Sequence, residues 1–282
     1  MATYVETKDV NILIDPGVAL APRRFGLPPH PVELEKLEED WKRIVYYAER
    51  SDVIIVTHYH YDHHNPKRYT DVIYKDKVVL LKDPMENINY NQSRRGLYFI
   101  KQIENYADRI EIADSKEFKF EDTVIKFSKP VPHGINTKLG YVLEVYVYDG
   151  KHSFLFTSDV EGPPLKEQVE FMYEMNPNVI YIDGPMTYLL GSRYPEEELN
   201  KSLAHLTSLN DLTNLRVFII DHHLLRDANW LSWVIDVYEA AKVRRIWVGT
   251  AAEFMGLSPL LLEAHRKELY ESEASNLPEL TT

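Results

Sequence analysis

His58-Tyr-His60-Tyr-Asp62-His63-His64 follows the apolar run Val53-Ile-Ile-Val56 and a single Thr57. Two residues apart in extended backbone, His58 and His60 point the same way. A turn at Asp62-His63 aims that pair at a neighbouring position. Two imidazoles at one position, and a carboxylate with an imidazole at the next, suit two borderline divalent cations side by side. Crowding so many titratable rings at the exit of a core strand has no packing purpose without a cation, and a weak surface metal patch is the bland alternative. His30, His152, His205 and His265 stand alone in loops or on predicted helices and read as structural or surface residues.

Outward from this cluster the same arrangement recurs. Ile12-Leu-Ile14 ends at Asp15, Phe154-Leu-Phe156 leads through Thr-Ser to Asp159, Val179-Ile-Tyr-Ile182 ends at Asp183, and Val217-Phe-Ile-Ile220 ends at Asp221-His222-His223. One aspartate after a strand starts a turn; five such strand ends together, with histidines among them, predict one rim where a ligand binds. Between the strands, amphipathic stretches predict helices over 32–50, 91–106, 165–175, 195–209, 228–242 and 259–270, with Glu38–Lys42 and Glu39–Arg43 as supporting pairs on the first. Thr123–Phe127 and Tyr141–Tyr148 read as strands, the latter turning at Asp149-Gly150 into Ser153–Phe156. The alternation is that of an α/β fold. With no repeat and no linker composition, the expectation is one domain over 1–282, ending in a polar tail from about Glu271.

The 282 residues carry 32 basic and 44 acidic side chains, a net charge of −12, which disfavours broad nucleic-acid binding without excluding it. The absence of cysteine removes disulfides, thiolate metal sites, iron–sulfur clusters and cysteine nucleophiles, and suits a reducing cytoplasm. The longest apolar run, Ile44 to Ala48, is far too short to span a membrane, and the N-terminus lacks a signal-peptide layout, so a cytoplasmic protein is expected. No nucleophile elbow, Walker loop or dinucleotide glycine pattern occurs.

His58-X-His60-X-Asp62-His63 after an apolar strand resembles the metal-binding motif of the metallo-β-lactamase superfamily, and more narrowly the chain is similar to an archaeal group of predicted metallo-β-lactamase-like hydrolases. Asp15 resembles that family's early strand-ending aspartate, His133 in Val131-Pro-His-Gly134 its third histidine, Asp159 its bridging aspartate and His222 its last histidine. The resemblance implies an αββα four-layer sandwich with metals at one edge of two packed sheets. It also implies a partition: His58, His60 and His133 on one metal, Asp62, His63 and His222 on the second, and Asp159 bridging. Asp15 would orient a ligand rather than bind metal. Asp62 and Asp159 are the carboxylates expected to matter most for catalysis. Two divalent ions, zinc first with manganese or iron acceptable, would share a hydroxide about 3.5–4 Å from cation to cation. The implied activity is metal-dependent hydrolysis of an unspecified bond. A nuclease or phosphodiesterase of the same fold is one alternative, and a non-catalytic metal-binding or interaction protein another.

His64 doubles the motif's last histidine and His223 doubles His222, so each ligand has a neighbouring competitor; His222, next to the strand-ending Asp221, is preferred. Asn65-Pro66 replaces a small glycine-containing loop, which alters the substrate rim. Asp183, in Asp183-Gly-Pro-Met-Thr-Tyr188, serves either as a general acid or substrate contact, or as a turn residue. Arg94 and Arg95 read as a solvated helix start or an anion receptor. Arg226 either binds a phosphate or pairs with Asp221. Substrate and oligomeric state are not encoded in any motif here.

Overall fold

The computed structural model describes residues 1–275. The chain runs β1 (Thr3–Glu6), β2 (Asn11–Ile14), α1 (Pro31–Ala48), β3 (Val53–Val56), α2 (Thr70–Ile73), β4 (Val78–Leu81), α3 (Tyr90–Ile103) and β5 (Arg109–Ile112). It continues through β6 (Glu117–Phe120), β7 (Thr123–Phe127), β8 (Val131–Pro132), β9 (Tyr141–Val142), β10 (Val145–Tyr148), β11 (Ser153–Phe156), α4 (Glu170–Met175) and β12 (Val179–Asp183). Then come α5 (Glu196–Leu209), β13 (Val217–Asp221), α6 (Trp230–Arg244), β14 (Trp247–Gly249), α7 (Ala251–Phe254) and α8 (Arg266–Ser275). One sheet has the order β1-β2-β3-β4-β5, a second β14-β13-β12-β11-β10-β7-β6, and β8 and β9 form a short ribbon.

Strand alternation fixes the layers. Ile12, Ile14, Val53 and Ile55 share a cluster with Phe127, Val145, Phe156 and Ile219 of the other sheet, so these faces pack against each other. The alternate residues Leu13, Ile54, Val56 and Val79 turn outward onto Trp41, Ile44 and Ala48 of α1 and Phe99 and Ile103 of α3. On the far side, Leu155, Ile180, Phe218 and Ile220 meet α4, α5 and α6 through Met172, Leu206 and Val237. Strands buried on both faces need continuous apolar runs, which is what these segments contain. The fold is the expected four-layer αββα sandwich. Among the described residues, no helix is long and apolar enough to cross a membrane.

Four element readings change. The strand expected over 141–148 is broken at Leu143-Glu144, because Leu143 N turns away to donate to Thr57 O in the first sheet. The stretch 165–175 divides into a 3₁₀ turn and the short α4. Glu38 pairs with Arg68, not Lys42, and Lys36 with Glu39 and Asp40. The last helix begins at Arg266, not Pro259, and runs to Ser275, so the expected tail is helical over 271–275; residues 276–282 lie outside the described part.

That helix is anchored by a buried ion pair. Arg266 donates from Nε and Nη2 to Glu33 on α1 at 2.7 and 2.8 Å, and both side chains are fully buried. Its Nη1 also donates to the carbonyls of Ala21 and Leu27, holding the loop between β2 and α1. Glu33→Gln leaves a buried guanidinium without its counter-charge, and a loss of about 3 kcal/mol is expected in chemical denaturation. A change under about 1 kcal/mol would show that the pair behaves like a surface contact.

Candidate metal centre

β2 and β3 are parallel to each other, as are β11, β12 and β13, so their C-terminal ends meet along one edge of the sandwich. From these ends the chain turns sharply. Asp15 (φ 52°), Ser158 (58°), Glu161 (54°) and His222 (59°) all adopt left-handed backbone, a strain on the order of 1 kcal/mol each that clusters where side chains must be aimed. Gly17 lets the first loop pass the histidine turn, since a Cβ there would lie 2.6–2.8 Å from backbone atoms of His63 and His64. Gly134 (φ +76°) does the same beside His133, where a Cβ would lie 1.8 Å from Glu161 Oε2.

Asp159 lies at the middle of what these turns assemble. Its Oδ2 is 3.6 Å from His58 Nε2 and 3.3 Å from His133 Nε2, and His133 Nε2 is 3.1 Å from His60 Nδ1. Its Oδ1 faces the other way, 3.0 Å from His63 Nε2 and 3.4 Å from His222 Nε2, with Asp62 Oδ2 3.8 Å from the same His222 nitrogen. Two four-residue donor groups thus share Asp159, one with His58/His60/His133 and one with Asp62/His63/His222, beside the smaller groups Asp15/His58/His63 and Asp159/Asp183/His223.

A second layer sets the protons. Asp15 accepts from Thr57 N (2.8 Å), Thr57 Oγ1 (2.6 Å) and His63 Nδ1 (2.8 Å). Because the Thr57 hydroxyl gives its proton to Asp15, it must accept from Ser158 Oγ at 2.6 Å. Ser158, its own proton spent, then accepts from His58 Nδ1 at 3.2 Å. One carboxylate therefore places a proton on Nδ1 of both His58 and His63 and turns both Nε2 atoms toward Asp159. Glu161 Oε1 lies 3.3 Å from His133 Nδ1, an ion-pair distance without hydrogen-bond alignment.

These nitrogens find no hydrogen-bond partner within the protein. Nε2 of His58, His63 and His222 and Oδ1 of Asp159 are buried without a hydrogen-bond partner. The electrostatics ask for positive charge at the same point. Burial disfavours charged His63 and His133, yet the carboxylates of Asp159 with Asp15, and of Asp159 with Glu161, outweigh it and raise both rings to about 10. Burial, with His133 nearby, lowers His60 to about 3. Against its own burial, Asp159 is held well below the usual carboxylate range by His63, His222 and His133. Orphaned nitrogen and oxygen donors converging on an anion fit divalent cations.

The neighbouring candidates go elsewhere. His64 Nδ1 donates to His60 O, and its ring packs on Tyr59 and Phe99. His223 turns back to Asp183, with Nδ1 2.9 Å from Oδ2. Burial and the charge of Asp159 push Asp183 up to about 7. Asp221 accepts from His222 N and Ala251 N, not from Arg226, whose guanidinium instead lies near Asp62 and Glu263. Arg94 and Arg95 sit within α3, over the rings of Tyr90 and Tyr61. His205 donates to Pro163 O, and His30 caps α1 by accepting from Val32 N. Sequence reasoning passed over Thr57, Ser158 and Glu161, although each lies one or two residues from a strand-ending ligand candidate. Arg24, in the loop before α1, carries no motif at all.

Comparison with known proteins agrees with this architecture. A family model described as "Metallo-beta-lactamase superfamily" matches residues 1–234. Similar relatives include the "UPF0282 protein" of Korarchaeum cryptofilum, 52% identical over 96% of this chain and 90% of its own length. The "UPF0282 protein" of Sulfurisphaera tokodaii is 48% identical over 96% and 89%. Among solved structures, "CmlA, a diiron beta-hydroxylase from Streptomyces venezuelae" shares the fold with a TM-score of 0.51 at 12% identity, over 88% of this chain and 50% of its own.

Proposed function

The chain belongs to the metallo-β-lactamase superfamily, and on that footing we propose that it is a metal-dependent hydrolase with a binuclear centre. The observation that carries this reading is Asp159, whose two oxygens face two separate sets of ring nitrogens. In this reading His58, His60 and His133 hold one cation, Asp62, His63 and His222 hold the other, and Asp159 is shared. A bound pair of divalent cations supplies a lowered pKa for water and stabilises negative charge developing on the substrate. The protein's own part is preorganisation. Asp15, directly and through Thr57 and Ser158, orients His63 and His58 so that their Nε2 atoms face Asp159, and Glu161 lies behind His133. His223, with Nδ1 held by Asp183 and the ring lowered to about 4 by burial, is neutral and presents Nε2 as an acceptor. Zinc is the first expectation for an all nitrogen-and-oxygen donor set, and manganese or iron would also be accepted.

Elemental analysis of gently purified protein should find about two equivalents of divalent metal. Turnover on a panel of phosphodiester, ester, thioester and lactone substrates then identifies the bond. No retained metal and no uptake on reconstitution would defeat the binuclear reading. Replacing His60 or His133 by Ala should remove about one equivalent, whereas His205→Ala, which loses only a bond to Pro163 O, should keep both. Equal loss in all three variants would point to general destabilisation instead of ligation.

A further inference from the structure

Beside the second half-site, two arginines are short of acceptors. Arg226, three-quarters buried, makes one hydrogen bond among the described residues, from Nη1 to Tyr188 OH at 3.3 Å. The carboxylates of Asp62 and Glu263 lie 3.7 and 3.9 Å away, too far for hydrogen bonds. Arg24 lies over the ring of Tyr188, 4.6 Å from its centroid, and donates from Nη2 to Arg226 O; its Nε is buried without a partner. No carboxylate among the described residues forms an ion pair with Arg24.

A guanidinium carries five N–H donors, and each of these two uses one within the protein. Two guanidinium groups are thus kept together, partly out of water, around one tyrosine, with Asp62 and Glu263 as the nearest counter-charges. Their position is built rather than incidental. Arg24 pairs with Leu27 in a tight hairpin, and Arg266, fixed by Glu33, holds the carbonyls of Ala21 and Leu27 on either side of it. Such a site requires an oxyanion with several acceptor atoms.

We propose that Arg24 and Arg226 form an anion subsite that makes a phosphodiester the substrate of this centre, a proposal resting on the hydrolase reading above. The carbonyl of a lactone, thioester or ester presents a single reacting oxygen and leaves the arginines idle. A phosphodiester carries two non-bridging oxygens, one to lie over the centre and one to be taken by the guanidinium pair. The reaction is simple in its balance. A water oxygen bonds to phosphorus, one P–O ester bond breaks, the departing oxygen gains a proton, and a phosphomonoester and an alcohol result.

The test uses metal-loaded protein, with inorganic phosphate as titrant and bis(4-nitrophenyl) phosphate as substrate. Arg24→Ala, whose side chain touches no proposed ligand, should weaken phosphate binding and raise KM about tenfold each, with metal content unchanged and kcat within about twofold. Arg226→Lys, which keeps the charge and loses the fork, should do the same more strongly. Chloride, which offers no second acceptor atom, should bind weakly and equally to all three proteins. Phosphate affinity in Arg24→Ala within about twofold of the parent protein, with metal retained, overturns the proposal, as does hydrolysis confined to lactones or thioesters. If the protein instead holds no metal and hydrolyses nothing, the hydrolase reading has failed. Phosphate titration of parent and Arg24→Ala then still decides whether the arginines bind an oxyanion.

Discussion

Asp159→Asn should lower turnover by about 10³-fold or more, a far larger effect than the stability the metal-free protein loses with the counter-charge of His63 and His133. The carboxylate faces His58 and His133 with one oxygen and His63 and His222 with the other. An amide retains one oxygen and turns an NH₂ group, a donor with no lone pair to offer, toward one of the two sets. The shared negative charge is lost at the same time, so nucleophile placement and electrostatic stabilisation fail together. The residue lies beyond the end of β11, not within a packed strand, so the apolar layers stay closed. Turnover and metal content measured on one preparation, with a thermal midpoint after metal removal, check each part. Near-normal turnover would reduce Asp159 to a turn aspartate and transfer its role to Asp183 or Asp221.

Removing the metal from the unaltered protein should produce the largest loss of stability. The proposed donors come from both sheets, so bound cations tie the native state and not the unfolded chain. A ligand present at about 100 times its Kd adds about 2.7 kcal/mol, so two sites give about 5 kcal/mol. For a chain of this size the thermal midpoint should fall on the order of 10–20 °C on chelation and return when metal is restored. Calorimetry before chelation, after it and after reloading tests this. An unchanged midpoint with verified metal loss would mean that the sheets hold together without the centre.

How far the sequence reveals this protein depends on how local each cause is. The four layers were legible because strands buried on both faces must be apolar throughout, and Val53–Val56 and Val217–Ile220 are. The rim was legible because β2, β3, β11, β12 and β13 each end in or lead straight into polar residues, and parallel strands end together. The break at Leu143-Glu144 was not, since its cause is a hydrogen bond to Thr57 in the other sheet. Nor was the late start of the last helix, where Arg266 is committed to Glu33 at the opposite end of the chain. Choosing between His222 and His223 needed the left-handed turn at His222, which sends the two rings to Asp159 and Asp183 respectively. Thr57 and Ser158 read as spacers in sequence because their importance lies in the order of protons along a chain of contacts.

The division of donors between the two sheets has a consequence for the order of events in the life of the molecule. On the proposed assignment, the chain up to β5 would carry His58 and His60 for one cation and Asp62 and His63 for the other, an incomplete set for each. His133, Asp159 and His222 arrive only with the later strands, and no fragment ending before β13 contains both full sets. On the proposed assignment, the first set is complete once the chain has passed β11, and capture of the second cation would register that synthesis has passed β13 and that the sheets have docked. The converse holds for release. A cation gripped from both sides departs at the rate at which those sides part, so exchange with free metal should follow the breathing of the sandwich and not the lability of any one ligand.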